Sequence, residues 1–306
     1  MAEKSEISWT DSTINFWSGC TMVPAANGLK DSGCLYCYAK DRDDRHLQEK
    51  VSHWGIGAPR LKSVGAVKDA LALNRKPFVC DKFGQDCDCY GVLHGRHRRR
   101  IFSLSLGDWL DDEVPIEWLA EMLDTIQKCD QVTWILCTKR PENWMTRLMD
   151  SFAATDSDEL KTWVNGWICG TRVPSNITPL ISIENQAMAD KRIPELLKIP
   201  SACRGLSLEP LLGPVELNLN TINHDAMKNG PQHAKQPFIS WLIIGAESGP
   251  HRRECKLEWV RSLVEQGKAA GCAVFVKQLQ DSEGIVCKDV AEFPKDLQIQ
   301  NWPKGF

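Results

Sequence analysis

Three cysteines in a C-x13-C-x2-C pattern carry the most specific chemistry in this sequence. They are Cys20, then Cys34 and Cys37 within Gly33-Cys34-Leu35-Tyr36-Cys37-Tyr38-Ala39. Two thiols separated by two residues can turn both sulfurs toward one metal or cluster, and a third can arrive across a loop. Three thiolates leave a four-iron cube with one iron open to another ligand. A closed structural zinc site takes a fourth protein ligand instead. A second group, Cys80, Cys87, Cys89, His94 and His97, lies within eighteen residues and offers soft donors for tetrahedral zinc or an additional iron–sulfur centre. Its C-x6-C-x-C spacing is not that of a standard zinc ribbon. Arg96, His97, Arg98, Arg99 and Arg100 form the strongest basic run. That run reads either as a solvated loop or as a phosphate-contacting patch for nucleic acid or a nucleotide.

These groups must be positioned by regular elements. Residues 14–17 are a short apolar run directly before the cysteine loop. Residues 62–74 suit one short helix, and residues 101–106 a strand closed by Gly107-Asp108. Pro115 opens a helix with Ile116, Leu119, Leu123 and Ile126 on one face, and Asp111, Asp112 and Glu113 suit its positive end. Residues 132–137 read as the next strand, followed by Thr138-Lys139-Arg140-Pro141 and more helix. The pattern predicts strands over 167–171, 205–208, 241–244 and 273–276. It also predicts a helix over 187–197 that Pro194 breaks or kinks, and another ending at Gly271. About seven short apolar strands alternating with helices predict an α/β fold with a parallel sheet. Asp108, Lys139, Glu209, Glu247 and Lys277 each fall just past a strand, where α/β barrels gather their active-site residues. Residues 77–100 then form a Cys/His/Arg-rich insertion in a single domain spanning 1–306.

At 306 residues the chain can bury a barrel-sized core. A net charge of −3, with 25% charged and 42% hydrophobic residues, is ordinary for a globular protein and excludes a globally basic nucleic-acid coat. No apolar run reaches membrane-span length, and the polar start is not a signal peptide. Thirteen cysteines without a secretory signal point to a reducing cytoplasm. Those at 129, 169, 203, 255, 272 and 287 lie mostly in apolar runs, where packing suffices to explain them. Twelve tryptophans exceed what a core of this size requires.

Several segments taken together resemble a phage-associated, largely uncharacterised three-cysteine protein family. They are Trp9-Thr10-Asp11, Gly19-Cys20, the loop from Cys34 to Ala39, Leu104-Ser105-Leu106-Gly107-Asp108, Thr138-Lys139-Arg140-Pro141, Glu184-Asn185-Gln186, Ser207-Leu208-Glu209-Pro210, Gly245-Ala246-Glu247-Ser248-Gly249 and Val276-Lys277-Gln278. That family is itself similar to radical S-adenosylmethionine (SAM) enzymes, including the spore photoproduct lyase branch. Radical SAM enzymes usually have three residues between the first two cysteines, where this chain has thirteen. The resemblance implies a partial or near-complete (β/α) barrel of radical SAM type, a [4Fe-4S] cluster on Cys20, Cys34 and Cys37, and SAM as cofactor. It implies Tyr36 against the adenine edge, and Ser105, Gly107 and Asp108 around the SAM amine, Asp108 through a charge-assisted bond. Lys139, Glu209, Glu247 and Lys277 are candidates for the SAM carboxylate, its ribose or the substrate. Cys137, near a strand end, is a candidate hydrogen-atom donor. The implied partner is an electron donor such as a flavodoxin or ferredoxin.

The expectation is therefore a cytoplasmic radical SAM enzyme, acting on a substrate that the basic run would make a nucleic acid or nucleotide. The alternative is a zinc-stabilised, nucleic-acid-binding phage accessory protein without turnover. In that reading both cysteine groups are structural.

Overall fold

A computed structural model describes residues 4–25, 32–46, 51–76, 98–223 and 239–303. Of the expected insertion, Cys80, Cys87, Cys89, His94, Arg96 and His97 lie outside the described residues.

The parallel strands are β1 (Ser12–Ile14), β4 (Arg99–Ser103), β5 (Val132–Thr138), β6 (Ile177–Ser182), β7 (Gly205–Leu208), β8 (Trp241–Gly245) and β9 (Ala273–Gln280). They form one sheet in chain order, and β10 (Val286–Cys287) adds to β9 antiparallel. A separate hairpin pairs β2 (Trp17–Ser18) with β3 (Leu61–Lys62). The sheet curls into a half-barrel. Strands β6, β7 and β8 are buried at every position, as expected where helices cover one face and side chains fill the other.

Helices α1 (Tyr38–His46), α2 (Ala66–Arg75), α3 (Ile116–Lys128), α4 (Trp144–Ala154), α5 (Asp158–Ile168), α6 (Gln186–Lys198) and α7 (Leu257–Ala269) occupy connections between strands. Leu119, Leu123 and Ile126 of α3 are buried, matching the spacing in the sequence. Around α4 and α5, Trp109 stacks parallel to Trp167 at 6.3 Å, while Trp144 and Trp163 meet the same ring edge-on at 5.9 and 5.4 Å. Four of the twelve tryptophans thus build one aromatic wedge. Among the described residues, no helix is long and apolar enough to cross a membrane.

Two elements differ from the sequence reading, and in a third one of two expected outcomes is excluded. Residues 167–171 are not a strand: Trp167 lies in the last turn of α5, which Ser157 caps by accepting from the Leu160 N–H at 3.2 Å. The strand in that place is β6, where Pro179 pairs with Leu136 and pairing with β7 begins only at Leu180. Pro194 does not end α6. It sits on the exposed side of that helix, where water can satisfy the carbonyl its missing N–H leaves unbonded.

The period-two alternation of the strands sets what faces the half-barrel interior. Phe102, Ile135, Leu180, Ile243 and Phe275 form an apolar floor with Trp9 and Trp241. One step further along the same strands come Cys137, Ser182, Ser207, Gly245 and Lys277, then Lys139, Glu184, Glu209 and Glu247. Polarity therefore rises toward the carboxyl-terminal mouth.

Candidate metal centre

The cysteine loop reaches this mouth from the β1 edge. Gly19 takes φ +102° and an added Cβ would lie 2.4 Å from the His53 carbonyl oxygen, so only glycine fits there. Gly19 bridges to Gly107 and Cys20 to Trp54, which fixes Cys20 beside the end of β4. Cys20 and Cys34 are 8% and 9% exposed, and Cys37 is half-buried. All three are free thiols. Gly33 packs on the Glu184 side chain, whose carboxyl carbon would lie 2.8 Å from a Cβ at that position. Glu184 is itself held by buried Arg192 at 2.7 Å.

Arg140, in the loop after β5, points one Nη1–H at Cys20 Sγ, 3.6 Å away. It also donates to Asp108 Oδ2 at 3.0 Å and, through Nη2, to the Thr21 carbonyl. Lys139 Nζ donates to Ser182 Oγ at 3.3 Å. Burial pushes the Cys20 thiol up, Asp108 adds to this, and Arg140 opposes it; the Cys34 sulfur is a smaller neighbour. Burial also raises Cys37, against Lys139 and with Cys34. For Lys139, burial disfavours the charge, but Cys34, Glu184, Cys137 and Cys37 more than offset it, so the net direction is upward. Cys34 thus lies within electrostatic reach of both Cys20 and Cys37, with Arg140 beside the first and Lys139 beside the second. Among the described residues, no three His, Cys, Asp or Glu side chains are close enough to hold a single metal ion.

The remaining candidates are largely occupied. Asp108 is 5% exposed; its Oδ1 accepts from the Leu110 N–H at 3.0 Å and its Oδ2 from the Lys139 N–H at 2.9 Å as well as from Arg140. Asp108 therefore shapes the Lys139-Arg140 turn, and both oxygens are committed to protein donors. Ser105 Oγ bonds Asn15, and the Ser105 carbonyl accepts from Tyr38 Oη at 2.6 Å. Gly107 lies against the Trp17 indole. Glu209 pairs with Lys277 across the mouth. Glu247 takes both the backbone N–H and the side-chain Nε–H of Arg253 at 2.9 Å. Arg253 also donates to the Ser32 carbonyl at 3.0 Å, and its guanidinium lies 5.2 Å over the Tyr36 ring. Cys137 Sγ lies 3.4 Å from Ser182 Oγ. A cleft of about 680 Å³ opens beside Arg140, lined by Thr21, Met22, Lys139, Asn143, Met188 and Lys191 among others.

The described part of the basic run, Arg98 to Arg100, is placed elsewhere. Arg99 and Arg100 begin β4, at the strand end opposite the cysteines. Arg100 pairs with Asp11 at 2.8 Å and lies 4.3 Å over Trp302; Arg99 donates to Ser12 Oγ at 3.1 Å and Arg98 to the Ser175 carbonyl at 3.3 Å. These described arginines are tied to the protein and do not share the mouth with the thiols.

Sequence reasoning assigned no role to Arg140, Glu184, Arg192 or Arg253. Arg140 was within reach, since it adjoins Lys139 at a strand end. Arg253 gives no such signal, lying well past β8 in a loop. No curated protein and no solved structure matches the chain. Residues 4–296 match the family described as protein of unknown function (DUF5131), so the chain belongs to that family.

Proposed function

We propose that this protein is a radical SAM enzyme whose [4Fe-4S] cluster is held by Cys20, Cys34 and Cys37. The observation that supports the reading is that these three free thiols lie at the carboxyl end of a parallel sheet, Cys34 in the field of both Cys20 and Cys37, with Arg140 on Cys20 and Lys139 in the field of the other two. The donor set fits a cube. Each cysteine of a cube takes a different iron, so its sulfurs stand further apart than ligands on one ion, and thiolates gathered out of water call for nearby cations. When bound, the cluster and SAM would supply a 5′-deoxyadenosyl radical by one-electron cleavage of a carbon–sulfur bond. An electron donor of the flavodoxin or ferredoxin class would be the partner.

The chain's own residues then have separable tasks. The floor of Trp9, Phe102, Ile135, Leu180, Ile243 and Phe275 excludes water below the mouth. Lys139, Ser182 and the Glu209–Lys277 pair present polar groups above it for a ligand's carboxylate or hydroxyls. Burial raises the Cys137 thiol, which keeps its hydrogen on sulfur as a hydrogen-atom donor requires.

Anaerobic reconstitution with iron and sulfide, followed by EPR of the reduced protein with and without SAM, tests the reading. A cluster signal that changes on adding SAM is expected, and Cys34→Ala should abolish it. Zinc without iron, or a cluster indifferent to SAM, would overturn the proposal and favour the structural-zinc alternative.

A further inference from the structure

The two halves of the cysteine motif are each held by an arginine that is paired with a buried carboxylate. Arg140, paired with Asp108, holds Cys20 and Thr21. Arg253, paired with Glu247, holds Ser32 and covers Tyr36. The two differ in what they hold: Arg140 donates to a sulfur, whereas Arg253 donates to the Ser32 carbonyl and covers Tyr36. We infer that Arg140 is a positioning residue for Cys20 that also sets the reduction potential of the centre, whereas Arg253 only orders the loop. The inference rests on the iron–sulfur reading above.

The physical argument is electrostatic. One-electron reduction adds a negative charge to the centre, and a guanidinium donating to a ligand sulfur favours that charge. The site is largely out of water, so the interaction is weakly screened. Asp108, paired with the same guanidinium, supplies the opposing charge. Removing Arg140 would leave an unpaired buried carboxylate beside Cys20, so the loss acts twice in one direction. Removing the Asp108 charge acts in the other. Arg140 also pins the start of the thirteen-residue excursion, through its donation to the Thr21 carbonyl one residue past Cys20.

The experiment is EPR-monitored redox titration with dithionite of the reconstituted full-length wild type, Arg140→Gln, Arg140→Lys, Asp108→Asn and Arg253→Gln, with iron and sulfide content and circular dichroism recorded for each. Arg140→Gln should lower the midpoint by at least a tenfold change in the reduction equilibrium, about 59 mV for one electron. Arg140→Lys should recover part of that loss, and Asp108→Asn should move the midpoint upward. Arg253→Gln should lower cluster content and leave the midpoint of the loaded fraction unchanged. If Arg140→Gln does not fold or load, the upward shift in Asp108→Asn decides, and its absence overturns the inference. A wild type that binds a cluster whose midpoint ignores both Arg140 and Asp108 overturns the inference alone. A wild type that takes up no iron overturns the reading beneath it.

Discussion

At the scale of single residues, the carboxylates at the strand ends are paired with cations from elsewhere along the chain. Asp108, Glu209, Glu247 and Lys277 were legible as strand-end residues because the apolar runs before them are unmistakable. What they touch was not legible: Asp108 and Glu247 serve Arg140 and Arg253, and Glu209 serves Lys277. Such pairings come from far along the chain, and one sequence carries no register between them. Gly33 makes the same point. It sits beside Cys34 as an ordinary loop glycine, yet its missing side chain is what lets the loop lie on the Glu184 carboxylate. Gly33→Ala should destabilise the protein by about 1–3 kcal/mol, because Arg192 pins Glu184 and prevents it from yielding. Gly213→Ala, where a Cβ would meet nothing within 4 Å, is the control and should be close to neutral. Urea unfolding of both variants checks this, and equal midpoints would mean that the loop gives way instead.

At the scale of elements, local rules succeeded where one period dominated and failed where two signals competed. The face of α3 and the apolar strands β5, β7 and β8 were readable directly. Around residues 157–182 the signals crossed. The apolar end of α5 resembles a short strand, and Pro179 argues against the strand that is actually there. The tie was broken by the Ser157 cap, a short-range cue, and by the position of Pro179 before β6 gains its second neighbour, which no local window contains. Pro194 is the corresponding case in α6. Since it lies on the solvent side and leaves the carbonyl of Asp190 without its helical donor, Pro194→Ala should restore that bond. A gain of about 1–3 kcal/mol in urea unfolding is expected, because no buried contact is lost with the ring. A loss of stability would mean that the proline ring or its kink is needed to seat Arg192 under Glu184.

At the scale of the whole molecule, the two described ends of the cysteine motif border the mouth of the half-barrel, one anchored at the ends of β4 and β5 through Cys20 and the other beyond β8 through Ser32. The same burial that organises the mouth encloses thiols with no part in it. Cys129 and Cys272 are each pushed up by burial to about 11, and Cys255 to about 12, above the ordinary thiol value of 9.0. The folded state therefore holds protons on these sulfurs that the unfolded chain releases. Their contribution is fully present below pH 9.0 and is lost progressively as pH rises toward 11 and 12. The urea midpoint should fall between about pH 8 and about pH 10, and replacing Cys129, Cys255 and Cys272 together by alanine should flatten that fall while lowering stability at both values. An equally steep fall in the triple variant would assign the alkaline sensitivity to other thiols that burial raises, such as Cys20, Cys37 and Cys203. Under the proposed function, repeating the comparison on protein reconstituted with iron and sulfide separates the cluster cysteines from the rest, because thiolates committed to a cluster would no longer titrate with the solvent.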